Sequence, residues 1–141
     1  MDASPSVMVV DDDTALAEVL VQYLRVIGFE AVGIDVTNAP QMANTINAQD
    51  PRVVLLDINL GHVTGFEVAQ QLRALGYTGV VVAVTGEDLH DRPGRGRLAD
   101  FDEYWRKPID PDRVRGFLQV MHGRPDGSNS GRQQDGAALG R

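Results

Sequence analysis

The 141-residue chain has no cysteine, one tryptophan, one lysine among thirteen basic residues, and only 6% aromatic residues. Without cysteine, neither a disulfide nor a thiolate metal site is available, and the redox compartment stays open. No apolar run approaches the roughly 20 residues of a membrane span. The start Met1-Asp2-Ala3-Ser4-Pro5 is acidic, and the apolar run behind it is too short for a signal peptide. A soluble, cytoplasmic protein is expected. A concentrated basic surface is also lacking: the net charge is −7 and the arginines are scattered. Their densest group, Arg92, Arg95 and Arg97, stands among Pro and Gly and reads as a solvated loop. This balance argues against nucleic acid and anionic membrane, so neither is expected as a partner.

The length allows one domain with a sizeable core, and 43% hydrophobic residues suit a globular chain. Short apolar runs alternate with segments of helical period from residue 6 to 122. Ser6 to Val10, Val53 to Leu56 and Val80 to Val84 read as buried strands, Phe29 to Ile34 and Glu103 to Arg106 as weaker ones. The spacing predicts helices over Thr14 to Ile27, about Ala39 to Ala48, Gly65 to Leu75, and Pro111 to about His122, the last with Pro in its first turn. In the first helix Leu16, Val19, Leu20, Tyr23, Leu24 and Ile27 share one face; in the third Phe66, Val68, Ala69 and Leu72 point inward. Pro93, Gly94 and Gly96 interrupt any helix between Glu87 and Asp100. From Gly123 the chain is polar and reads as a flexible tail over 123–141. Five β-α repeats with continuous apolar strands imply an α/β fold whose parallel sheet is covered on both faces.

In a parallel sheet all strands end at one edge, where ligands bind close to the reversal of strand order. Four strands end there in residues capable of chemistry: Asp11-Asp12-Asp13, Asp57, Thr85 and Lys107. Taken singly, Asp13, Asp35 or Asp57 would be a helix N-cap, Thr85 a turn residue, and Lys107 a solvated strand end. Together they form a constellation. Gathered carboxylates repel unless a cation neutralises them, and oxygen ligands of this kind suit Mg²⁺. A carboxylate beside such an ion can act as nucleophile toward a phosphoryl group, with Thr85 and Lys107 offered to its other oxygens. Lys107 is the sole lysine, which suits a position wanting a compact ammonium.

Val7-Met8-Val9-Val10-Asp11-Asp12-Asp13, Val53-Val54-Leu55-Leu56-Asp57-Ile58-Asn59-Leu60 with Gly65, Val84-Thr85 and Lys107-Pro108-Ile109 together resemble the receiver domains of bacterial two-component response regulators, the chemotaxis regulator included. The resemblance covers roughly residues 5–122. It implies a doubly wound, flavodoxin-like five-stranded sheet of order 2-1-3-4-5. It further implies Asp57 as the phosphoacceptor, supplied by a histidine kinase or phosphotransfer protein, and control of a downstream protein partner. By the same resemblance Asp12, Asp57 and the backbone carbonyl of Asn59 ligate Mg²⁺ and Asp11 acts through water. Lys107 and Thr85 hold phosphoryl oxygens, Tyr104 is the aromatic switch, and the Lys107-Pro108 bond is cis. Asn59 and Glu87 match the pair of the fast-hydrolysing chemotaxis regulator, implying a short-lived phosphoryl group. Such a domain catalyses only its own phosphorylation and dephosphorylation.

Three departures stand out. Gly61 replaces a usual Pro, Gly86 replaces a usual Ala or Ser, and the stretch 91–100 leaves the fourth helix short or irregular. Of the remaining residues, His62 reads as a solvent-exposed loop residue, and His90 and His122 as surface residues. Met8, Met42 and Met121 read as core fillers. Trp105 reads as a partly buried residue opposite Tyr104, or as a partner surface. Two rival readings remain. One is a receiver fold that binds partners without phosphorylation. The other is a haloacid-dehalogenase-type phosphatase with Asp11 as nucleophile and Asp13 as acid, which leaves Asp57 without a role.

Overall fold

The computed structural model describes residues 6–86 and 98–122. Strands and helices alternate as β1 (Val7–Val10), α1 (Thr14–Val26), β2 (Ala31–Gly33), α2 (Ala39–Gln49), β3 (Val53–Asp57), α3 (Gly65–Ala74), β4 (Val80–Thr85), a 3₁₀ turn (Leu98–Asp100) and β5 (Glu103–Arg106). A second unit beyond Ile109 holds α4 (Pro111–His122). Every strand pairing is parallel and the order is β2-β1-β3-β4-β5, the doubly wound α/β arrangement expected.

The central strands β1, β3 and β4 are buried almost throughout, which is why they are continuous Val and Leu runs. On one face Met8, Val10, Val54, Leu56 and Ala83 pack with Met42 and Ile46 of α2 and Val68 and Leu72 of α3. Alternate side chains point the other way. Val9, Leu55 and Val82 are just as buried there, and α1 lies over β2 on that side, with Val21 close to Gly33.

Local chemistry starts each helix. Asp13 caps α1, accepting the Leu16 N–H at 3.1 Å. Asn38 rather than Asp35 caps α2, with Pro40 in the first turn. Thr64 and Glu67 form a reciprocal capping box on α3. In α4, considered alone, Asp110 accepts the Asp112 N–H at 2.9 Å ahead of a first turn begun by Pro111, and Val114 and Leu118 are buried one turn apart.

The inward residues expected in α3 are all buried. In α1 the expected face needs correction. Leu20, Val21 and Leu24 are buried, whereas Leu16 and Val19 are exposed. Trp105 is fully buried rather than part of a surface, its indole N–H donating to Glu103 at 2.9 Å. Met8 and Met42 are core residues as expected, and Met121 is half-buried. Most of the irregular stretch 91–100, together with Glu87, His90 and the tail 123–141, lies outside the described residues. Among the described residues no helix is long and apolar enough to cross a membrane.

Candidate functional site

Strand order reverses between β1 and β3: the chain leaves β1 for β2 on one side and returns to β3 on the other. The C-terminal ends of β1 and β3 therefore flank a crevice. Asp11 and Asp57 stand at those two ends, both buried, and exposed Asp12 follows Asp11. One carboxylate oxygen from each of Asp11, Asp12 and Asp57 lies within 4.8 Å of the others. Thr85 closes β4 one position past Val84, the register partner of Asp57. Its carbonyl accepts the Lys107 N–H at 2.8 Å, tying the end of β5 to the same edge. The Lys107-Pro108 bond is cis, as the resemblance implied.

Lys107 reaches into the crevice. Its Nζ lies 3.0 Å from Asp57 Oδ2 and 3.1 Å from Asp11 Oδ2. The remaining oxygens of these two carboxylates are also engaged. Asp11 Oδ1 accepts the Asp13 N–H at 2.9 Å, and Asp57 Oδ1 accepts the Asn59 N–H at 3.1 Å. Burial, then the neighbouring Asp11, push the Asp57 carboxyl up to about 6, against the pull of Lys107 and the Asn59 N–H. Burial draws the Lys107 ammonium down, but its hydrogen bonds and charge contacts with Asp57 and Asp11 outweigh this and leave it raised. The two shifts look opposed, since a lysine at 3.0 Å should lower its carboxylate. They agree once burial and then Asp11 are counted: desolvation raises Asp57 first, and one ammonium serves two buried acids, so Asp57 is under-compensated.

That deficit of positive charge is what a divalent ion would fill. Mg²⁺ takes oxygen ligands at about 2.1 Å, and three carboxylate oxygens within 4.8 Å of one another are a donor set that would suit it. Among the described residues, Asp11, Asp12 and Asp57 are the carboxylates that converge on such a space. Asp13 does not join them in function, since its side chain caps α1. The phosphatase reading thus loses its acid while Asp57 is given a place.

The loop behind Asp57 is shaped by two glycines. Gly61 has φ +89°, which a proline cannot adopt, so the departure at this position reflects a different turn. A Cβ on Gly65 would lie 2.5 Å from the Asp57 carbonyl oxygen and 2.9 Å from Ile58 Cα, so α3 begins hard against the backbone of Asp57. Asn59 pairs with Thr64 across the loop, and His62 is exposed on it. Gly86 is exposed with open space around it. Tyr104 is 44% exposed on β5. Sequence reasoning missed Phe101, whose ring lies 6.0 Å from Tyr104, and Arg73, which binds Asp102 across 29 residues. Such pairings leave no local pattern. An aromatic three residues before Tyr104 was the one available signal.

The sequence pattern of the response regulator receiver domain matches residues 7–119. The DNA-binding response regulator MtrA of Mycobacterium tuberculosis is 33% identical over 123 residues, covering 84% of this chain and 53% of that protein. The transcriptional regulatory protein PrrA of Mycobacterium leprae is 33% identical over 107 residues, 76% of this chain and 45% of that one. Among solved structures, a CheY-like response regulator receiver domain from Methylobacillus flagellatus superposes with a TM-score of 0.67 at 29% identity, covering 84% of this chain and 98% of its own. The chain spans about half the length of the curated relatives it matches. These relatives correct the expectation that nucleic acid is excluded as a partner, since they are DNA-binding and transcriptional regulators. A net charge of −7 bears only on this chain's own surface, and about half of each relative lies beyond the match.

Proposed function

The chain belongs to the response regulator receiver domain family, and on that premise we propose that it accepts a phosphoryl group on Asp57 from a histidine kinase or phosphotransfer protein. An oxygen of the Asp57 carboxylate attacks phosphorus, the bond from phosphorus to the donor's imidazole nitrogen breaks with its electron pair on nitrogen, and an acyl phosphate results. When bound, Mg²⁺ held by Asp12, Asp57 and the Asn59 carbonyl, with Asp11 acting through water, supplies the positive charge that the pooled carboxylates and the phosphoryl oxygens require. Lys107 gives up its contacts with Asp11 and Asp57 to hold one phosphoryl oxygen, and the Thr85 hydroxyl takes another. Tyr104 turns inward as Thr85 moves, altering the β5 surface that a downstream protein reads. Residues 5–122 form the receiver and 123–141 a polar tail. The protein works in the cytoplasm, and its output leads toward DNA in the manner of the relatives. Asn59 and Glu87 favour a short-lived phosphoryl group, and autodephosphorylation that takes many hours would contradict this.

The observation that carries this reading is the Lys107 ammonium spanning two buried carboxylates, Asp57 and Asp11, beside the exposed Asp12. Incubation with acetyl phosphate and Mg²⁺, followed by intact mass, tests it. Wild type gains one phosphate and Asp57→Asn gains none. A wild type of unchanged mass that also fails to bind beryllofluoride supports instead a receiver fold acting without phosphorylation.

A further inference from the structure

Three aromatic rings run from the loop behind Asp57 to the switch tyrosine. Phe66 lies in the first turn of α3, next to Gly65, which abuts the Asp57 carbonyl. Its ring is 5.7 Å from that of Phe101 at 77°, and Phe101 is 6.0 Å from Tyr104 at 62°. Both are edge-to-face arrangements within attractive range. Phe66 and Phe101 are buried, whereas Tyr104 at the end of the chain of rings is 44% exposed. Across the ladder Tyr104 pairs with Ala83, two residues before Thr85. Its register partner in β4 is therefore a methyl group. The Phe101 ring packs against Tyr104.

We infer that Phe101 is a positioning residue for the switch: its ring keeps Tyr104 in the outward rotamer and so sets how readily the tyrosine turns in. This rests on the reading of Tyr104 given above, but concerns a residue with no part in the phosphoryl chemistry. A contact made in one of two states biases their ratio by its own free energy. Loss of one edge-to-face pair shifts such a ratio about 2- to 12-fold.

The test reads the χ1 rotamer populations of Tyr104 in the full chain by three-bond couplings, without phosphate or metal. Phe101→Leu moves population out of the outward rotamer by that factor, and Phe101→Tyr, which keeps the ring edge, leaves it as in wild type. Beryllofluoride affinity tightens in parallel for Phe101→Leu alone. If that variant does not fold, Phe101→Met is closer in volume and is read in the same way. Unchanged Tyr104 populations in the folded variant overturn the inference, however far the melting temperature falls, because a mere core filler gives that result. A wild type indifferent to beryllofluoride, with populations that still shift in Phe101→Leu, counts against phosphoacceptance and not against the role of Phe101.

Discussion

Asp57 carries the cost of the site in its own titration. Its carboxyl is raised from the ordinary 3.8 to about 6, first by burial and then by Asp11. The folded state therefore holds a proton that the unfolded chain has already lost between those two values. Stability from this group is present below about 4 and is lost as pH rises through about 6. At pH 7.5 without divalent ions, Asp57→Asn removes that penalty and raises the unfolding free energy by on the order of 1–3 kcal/mol. Urea titration at pH 7.5 and again below pH 4 checks this, the gain disappearing in acid. An Asn variant less stable at both values contradicts it. The sequence made the identity of these residues legible, because each ends an apolar run. It could not show that Lys107 serves both Asp11 and Asp57, since that depends on strand order.

At the scale of elements, the start of α3 is where packing and site meet. Gly65→Ala forces a Cβ against the Asp57 carbonyl and Ile58, and backbone there has little room to give. We expect a loss of about 1–3 kcal/mol in urea unfolding, with phosphorylation by acetyl phosphate slowed because Asp57 is displaced. Unaltered stability and rate would show that the loop yields more easily than its geometry suggests. The helices and strands themselves were readable from apolar spacing, and α3 down to its inward residues. The buried face of α1 was not, for a physical reason. Its apolar residues at 16, 19, 20, 21, 23, 24, 26 and 27 cover an arc of about 220° at about 100° per residue, wider than one buried stripe, so periodicity alone could not choose among them. The sheet chooses Leu20, Val21 and Leu24.

For the molecule as a whole, contacts between distant segments decide what the sequence could not show. The Arg73 guanidinium donates to the carbonyls of Tyr77, Gly79 and Asp100 and to the Asp102 carboxylate, which also accepts the Val81 N–H. This joins the end of α3 to β4 and to the approach of β5. Arg73→Ala is expected to cost about 2–3 kcal/mol in urea unfolding, as buried carbonyls lose their donor; a change within about 0.5 kcal/mol, typical of a surface position, would contradict it. The concentrated negative charge at the other edge predicts a metal effect on the whole fold. Mg²⁺ at a hundred times its dissociation constant adds about 2.7 kcal/mol to stability. EDTA reverses the gain and Asp12→Asn weakens it, which thermal unfolding reads directly. The most direct test of phosphoacceptance is borohydride reduction of the acyl phosphate formed with acetyl phosphate and Mg²⁺, followed by peptide mass mapping. Reduction of the side chain at position 57, and at no other aspartate, is the result expected; reduction at Asp11 instead, or at no position while the protein still gains phosphate, would contradict it.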